Sequence, residues 1–532
     1  MAIKHFSFFT IIGVIIVSLT ACNKNDKGFT LTGTLQGLDE GKVIFIPIES
    51  AESKPDTVLV QKGQFVYKGS VTEPSMYYMM VEGKPGTCLF YMENGKITVS
   101  ANVDSLQNAS FTGSITQEDY NRHQQMIKDI YAKYNMDSLY KELYPGKGKE
   151  AVSEQRRTEI ESIIEQANKE VDASTLNFIK DNPKSYYSLI LVSRMVKGMS
   201  ADKIDGYLKM LDPKIAETPR AKKLTEELNE AKKTDVDFAT FIKDAHNVKY
   251  TVDATYAGKQ HLDVAYLSTL SDNTICALKN DGTVLQINPK GAVVKEFKTD
   301  LKASPTAITV DKNDNIYVLG GIKGKVQKKL RGRIVEVEMP IGVECGVYDK
   351  NGNRLRSLQL DSCVVSATGA RVSGDNKLLV ADTRNRVVAI FDAQTGERKA
   401  IIEKLRTCCG ILDFSIRNDN EVLVADLGAF RVNGFDFTGK KLFSFGQRGE
   451  SINDFHGCCN PVSVAYLSNG AIVTVEKDPT RIKVYSHEGA CAVEGIDELV
   501  KGCAYIPMTV DKNDNLYLAS RTGGIIKCSP AI

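Results

Sequence analysis

The feature that most constrains this chain is a repeat in its C-terminal half. The string VDKNDN occurs at Val310–Asn315 and again at Val510–Asn515, each time followed by an apolar run, Ile-Tyr-Val-Leu or Leu-Tyr-Leu-Ala. Degraded copies lie between them, from Asn376 (NKLLVADTRNRVVAIFDAQTG), Asn420 (NEVLVADLGAFRVNGFDFTG) and Gly470 (GAIVTVEKDPTRIKVYSHEG). The positions that close the central apolar run are Leu278, Gly320, Asp382, Asp426, Glu476 and Ser520, at intervals of 42, 62, 44, 50 and 44 residues. A period of about 40–50 residues with several short strands per unit describes propeller blades, none of which buries its apolar faces alone. Six marks predict six blades over residues 246–532. Closure of the ring borrows a strand from the other end of the domain, and the segment 248–257 is the candidate.

The repeat also resembles a known family. Val380-Ala381-Asp382 with Arg386-Val387, Val424-Ala425-Asp426 with Arg431-Val432, and Val475-Glu476 with Arg481-Ile482 are similar to NHL repeats. Ser444–Ser451 followed by Asn460-Pro461 is similar to the linker into a further NHL blade. The resemblance implies a platform that binds at the ends of a central channel and, less often, an enzyme. In NHL repeats the acid at this position fixes a turn by bonding to backbone. The same role is expected of Asp382, Asp426 and Glu476.

Residues 1–21 read as a signal segment outside the fold. Lys4 begins it, Phe6 to Leu19 is apolar but short for a mature span, and Leu19-Thr20-Ala21-Cys22 resembles a bacterial lipobox. That resemblance implies cleavage before Cys22 and acylation of its thiol. Residues 22–28 would then be a polar tether. The expected location is a Gram-negative envelope, with the protein held on a membrane through its N-terminal lipid and facing the outer membrane or periplasm.

Removing 21 of 532 residues leaves 511, enough for several domains. The fold expected is mostly β: an antiparallel β-sandwich over 29–115, a helical segment over 116–245, then the six-bladed propeller. Short strands split by Gly, Asn and Asp turns carry the first assignment. Thr32-Gly33, Asp56-Thr57-Val58 with Gly63-Gln64-Phe65, and Tyr91 to Ile97 resemble the domain of unknown function that precedes thioredoxin domains in envelope thiol-disulfide interchange lipoproteins. Ile160, Ile163, Ile164, Ala167, Val171 and Phe178 repeat at helical spacing, and Asp181-Asn182-Pro183 stops that helix. Thr218-Pro219 opens another. No CxxC follows, so disulfide exchange does not carry over from those relatives.

A net charge of +2 gives no electrostatic footprint for nucleic acid. Tryptophan is absent, which removes the ring on which sugars often stack. The chain has no HExxH, GxSxG, Walker lysine loop or Rossmann fingerprint, so a binding protein is expected rather than an enzyme. Blade two carries an insertion over about 321–340 (KGKVQKKLRGR). It reads as a solvated hairpin or as a docking arm for an anionic surface or partner.

Of twelve cysteines, ten lie in the propeller. Cys409, Cys459 and Cys503 each stand 17 residues before a blade mark, Cys363 stands 19 before one, and His261 takes the same place in blade one. Cys408 and Cys458 double two of these positions, with His456 close by. This position leads into a blade's first strand, beside the channel mouth. Three readings stay open: interblade disulfides, a Zn or Cu(I) site, and buried or redox-active thiols. Cys88, Cys276, Cys345, Cys491 and Cys528 read as filler or disulfide partners. Zinc-lyase propellers imply channel histidines, and this chain departs from them, since only His261 falls near a blade-equivalent entry position. Calcium lactonase propellers imply channel Asn, for which Asn460 is the candidate. The partner expected is a protein or small-molecule ligand at the mouth.

Overall fold

A computed structural model describes residues 28–48, 54–146, 152–196, 198–237, 241–242, 245–330, 333–417, 420–477, 480–497, 499–500, 505–520 and 523–531. The signal segment, Cys22 and Cys503 lie outside these residues. The chain divides into two compact units. The first comprises 1–189 and 212–219, the second 190–211 and 220–532.

In the first unit, eight strands form one sheet: Phe29–Gln36, Glu40–Pro47, Asp56–Gln61, Gln64–Gly69, Ser75–Val81, Cys88–Met92, Gly95–Asn102 and Ser110–Thr112. The sheet departs from the expected antiparallel arrangement in one pair, since Phe29–Gln36 and Gly95–Asn102 run parallel. It also curls. Phe90 on one edge strand stacks on Phe111 on the other, with ring centroids 4.5 Å apart. A sheet with alternating apolar residues closes in this way because one face must leave water. The helix Ile115–Lys133 follows, its N-terminus capped by Ser114, whose side chain accepts from Gln117 N. The long helix Glu154–Asp181 ends at the Asn-Pro stop.

The second unit holds six four-stranded sheets in a ring. Their strands are Val264–Thr269, Ile275–Lys279, Thr283–Ile287 and Val293–Lys298 (blade 1); Ser304–Val310, Ile316–Leu330, Arg333–Tyr348 and Arg354–Gln359 (blade 2); Ala367–Val372, Lys377–Asp382, Val387–Asp392 and Arg398–Ile402 (blade 3); Asp413–Arg417, Glu421–Asp426, Arg431–Asp436 and Lys441–Phe445 (blade 4); and Ser463–Tyr466, Ile472–Glu476, Arg481–Ser486 and Gly489–Ala492 (blade 5). Blade 6 has Met508–Val510, Leu516–Ser520 and Gly524–Pro530, and takes its outer strand, Tyr250–Val252, from the start of the domain. First strands of successive blades neighbour one another and ring the axis.

Second and third strands are apolar on both faces because each sheet is covered by a blade on either side. Thr283–Ile287, Ile472–Glu476 and Leu516–Ser520 are buried throughout, whereas the outer Val293–Lys298 is largely exposed. Separate apolar cores fill the seams, such as Ala307, Leu319, Ala370 and Val380 between blades 2 and 3.

The VDKNDN string is a turn that also fastens neighbours. Asp311 Oδ1 accepts from the amides of Asn313 and Asn315, both at 2.9 Å, and Asp511 repeats both bonds at 2.9 Å. Asp314 and Asp514 take φ values of 62° and 59°. Their carboxylates accept from Ser271 of blade 1 and Ser468 of blade 5. Lys312 and Lys512 donate onward to the carbonyls of Gly374 and Ser271.

The insertion in blade 2 lengthens its second and third strands to 15 and 16 residues, paired from Ile316–Tyr348 to Leu330–Arg333 with one register shift between Ile322 and Lys323. The hairpin is amphipathic rather than uniformly basic. Lys325 opposes Glu338 and forms an ion pair with Glu336 at 2.7 Å, while Val326 opposes Val337.

Candidate functional site

First strands run away from one end of the channel, here named the mouth. The connector into each blade lies there, beside the end of each second strand. The acids that mark the repeat clamp these connectors. Asp382 is fully buried and accepts four backbone N–H groups: Val365 at 2.5 Å and Ser366, Arg384 and Asn385 at 2.7 Å. Asp426 Oδ1 accepts from Arg406 N at 2.6 Å. Glu476 Oε2 accepts from His456 N at 3.0 Å. Blade 2 has Gly320 at this position. Its cross-strand neighbour Glu344 takes over, accepting from Lys302 N and Ala303 N at 3.0 and 3.2 Å. The backbone role expected of these carboxylates is the one they fill.

Cys408 and Cys409 stand in a tight turn in which Ile411 N donates to Cys408 O at 3.0 Å. Cys409 and Gly410 take φ of 53° and 70°, the left-handed pair of a type I′ turn. A side chain at such a position costs about 1–2 kcal/mol. The Cys458-Cys459 loop is pinned on both sides. His456 Nδ1 lies 2.5 Å from Glu476 Oε2, and Asn460 donates to the carbonyls of His456 and Lys477 while accepting from Lys477 N.

The two pinned segments bring three thiols together across the seam of blades 4 and 5. The sulfurs of Cys408, Cys458 and Cys459 lie within 4.8 Å of one another. Cys409 Sγ is 3.5 Å from Cys408 Sγ, and Lys477 Nζ is 3.5 Å from Cys409 Sγ. Ten cysteines are described, all as thiols. Burial pushes the Cys408 thiol up, and hydrogen bonding to Cys458 with burial pushes Cys459 up.

The remaining candidates sit elsewhere. Cys363 is not among the clustered thiols. It stands beside Asp361 and Arg398, and burial raises it to about 11. Its offset of 19 rather than 17 residues carries it to a different point of the connector. His261 is buried and its Nε2 lies 2.8 Å from Gly291 O, at the seam where blade 6 meets blade 1. His456 is engaged by Glu476. Glu476 is held down to about 2: burial alone would raise it, but the His456 hydrogen bond and the Lys483 ammonium outweigh that. Asn460 is fully buried and spent on backbone, so it offers no cation ligand to the channel.

Two arrangements carried no sequence signal. Behind the mouth, Arg371 lies within ion-pair reach of Asp413 (3.6 Å), donates to Tyr266 Oη at 2.5 Å, and sits over the Tyr266 and Phe414 rings. Tyr266 stacks on Tyr505. These groups come from blades 1, 3 and 4 and the connector into blade 6, so only the closed ring unites them. In front of them is a pocket of about 170 Å³ lined by Ala265, Thr306, Thr368, Gly410, Ile411 and Tyr505. The second arrangement is the group His246, His487 and Glu488, near-adjacent in space but separated by more than two hundred residues in the chain.

No curated protein matches the chain. Among solved structures it is similar to a streptogramin B lyase, at 13% identity over 53% of this chain and 98% of that chain, with a TM-score of 0.37. It is also similar to a catalytically inactive virginiamycin B lyase from Staphylococcus aureus with quinupristin, at 12% identity over 53% of this chain and 100% of that one, TM-score 0.37. The WD40 β-propeller domain of Doa1 matches at 15% identity over 53% and 97%, TM-score 0.34. Residues 29–120 match the family described as "Domain of unknown function (DUF4369)", and the chain therefore carries a domain of that family ahead of a six-bladed propeller.

Proposed function

We propose that this chain is a lipid-anchored protein of a Gram-negative envelope whose propeller serves as a binding platform rather than an enzyme. Support for the anchor comes from the lipobox-like Leu19–Cys22 and the polar residues after it. Among the described residues no helix is long and apolar enough to cross a membrane. The platform reading is carried by the blade-2 hairpin. It extends two strands beyond the blade, presents a charged face and an apolar face, and rises from the mouth side, where second strands end. The pocket at the channel mouth, at about 170 Å³, is smaller than the roughly 300–1,000 Å³ of ordinary small-molecule sites. That size favours recognition of a protein surface by the mouth and hairpin together over a deeply enclosed ligand.

The test trims the hairpin by joining Ile322 to Gly342, which already face each other across the strands. Crosslinking in intact envelopes should recover a partner with the wild type and not with the trimmed form, and the purified partner should rebind only the wild type. Equal recovery by both forms refutes the reading. Cys22→Ala should abolish labelling by a lipid probe and release the protein from membranes. A second reading, a metal-handling or redox propeller, is favoured by the meeting of Cys408, Cys458 and Cys459.

A further inference from the structure

Three cysteines from two blades share one place. Cys408 comes from the connector into blade 4, Cys458 and Cys459 from the connector into blade 5, and all three sulfurs fall within 4.8 Å of one another. A zinc–thiolate bond of about 2.3 Å sets neighbouring sulfurs about 3.8–4.0 Å apart in tetrahedral or trigonal geometry. The Cys458–Cys459 pair stands at 3.6 Å, so closure onto one ion needs less than about 1 Å of movement.

The surroundings hold the donors in place. Glu476 and Asn460 fix the loop that carries Cys458 and Cys459, and neither offers the cluster a competing carboxylate or amide, because Glu476 is spent on His456, Arg481 and Lys483 and Asn460 on the backbone of His456 and Lys477. Cys409 adopts left-handed backbone, a strain that turns retain where geometry is over-determined. Lys477 is itself fully buried, and its ammonium lies 3.5 Å from Cys409 Sγ.

We propose that Cys408, Cys458 and Cys459 form a site for one thiophilic d¹⁰ cation, Zn(II) or Cu(I), at the channel mouth. Three soft donors select such ions over Mg(II) or Ca(II), which require oxygen. Three converging sulfurs suit trigonal Cu(I) and leave Zn(II) a fourth position, for which Cys409 or an incoming donor is at hand. The proposal deepens the metal reading of this cluster. Uptake is measured without any partner, so its failure leaves the platform reading standing.

The test uses the full-length chain, purified in detergent with a phosphine reductant, stripped by chelator and titrated anaerobically with Zn(II) or Cu(I) against a chromophoric competitor. One equivalent should bind, and Co(II) in its place should show thiolate charge-transfer absorption. Cys458→Ser changes an exposed residue and should not disturb folding. It and Cys408→Ser should each weaken binding by at least about 100-fold, more than loss of a supporting residue outside the ligand set. Cys491→Ser, a half-buried cysteine outside the cluster, should bind as the wild type does. Whichever ion binds more tightly is the occupant, and either supports the site. Undiminished uptake by the Cys408 and Cys458 variants overturns it. So does loss of uptake in His246→Ala instead, which would move the metal to His246, His487 and Glu488. So does a reduced wild type whose thiols titrate fully while no metal binds.

Discussion

Asp382→Ala offers a direct measure of what the repeat acid does. The carboxylate is fully buried and receives four amides. Two belong to the connector from blade 2 and two to its own turn. Hydrogen bonds to a charged acceptor contribute about 1.5–3 kcal/mol each, but only the part not recovered from water counts after truncation. The turn amides of Arg384 and Asn385 regain water at little cost, since those residues are exposed. The connector amides of Val365 and Ser366 are half-buried and lose more. The net loss is about 3 kcal/mol. Glu344 supplies the comparison: one oxygen holds two amides at 3.0 and 3.2 Å, and Glu344→Ala should cost only about 1 kcal/mol. For a domain of this size each kcal/mol moves the melting point by about 2–4 °C, so Asp382→Ala should melt about 6–12 °C lower. With no tryptophan in the chain, calorimetry or far-ultraviolet dichroism follows the transition. Hydrogen exchange should show deprotection centred on residues 365–366. Melting within about 1 °C of wild type, or deprotection no larger than in Glu344→Ala, refutes the clamp.

Three further outcomes are expected. Cys409→Gly should stabilise the metal-free protein by about 1 kcal/mol, because glycine adopts a φ of 53° without strain; a loss in denaturant titration would deny that strain. Glu476 is held down to about 2, so its contribution is complete above about 4.5 and is lost as pH falls through that window. Glu476→Gln should flatten the acid limb between those values, and an unchanged limb contradicts it. Arg371→Met leaves Asp413 buried beside no cation and should cost about 3 kcal/mol, much of it recovered by adding Asp413→Asn; additive losses in the double mutant exclude the pairing.

The propeller was legible because blades repeat. Five of the six marks fall at or next to the ends of second strands, Gly320 falls where the hairpin carries its strand onward, and the borrowed outer strand lies inside the segment expected to supply it. The VDKNDN string announced the period but not its physical basis. It is a turn whose lysine and second aspartate reach into neighbouring blades, and one chain read in isolation shows only the turn. Offset counting found Cys409 and Cys459, and adjacency added Cys408 and Cys458. It also grouped Cys363 and His261 with them, because counting residues ignores where each side chain points. Arg371, Asp413 and Tyr266 were invisible for the opposite reason. Each is a lone polar residue at the start of or within an apolar strand, and only closure of the ring makes them neighbours. In the first unit, strand alternation gave the β content, while the parallel pair and the curl depend on order across the sheet, which local pattern does not encode.

Tyr250–Val252 completes the sheet whose other strands end at Pro530. The first segment of the propeller to be synthesised is thus bonded to the last. A ribosome releases residues in order, so the ring stays open until Gly524–Pro530 has emerged from its tunnel. Until then the two blades at the ends of the open arc each have an uncovered flank, and Tyr250–Val252 has no edge to join. Any factor that protects the nascent chain must act on that open edge. Removal of Gly524–Pro530 should therefore leave a soluble pool of chains that never lock.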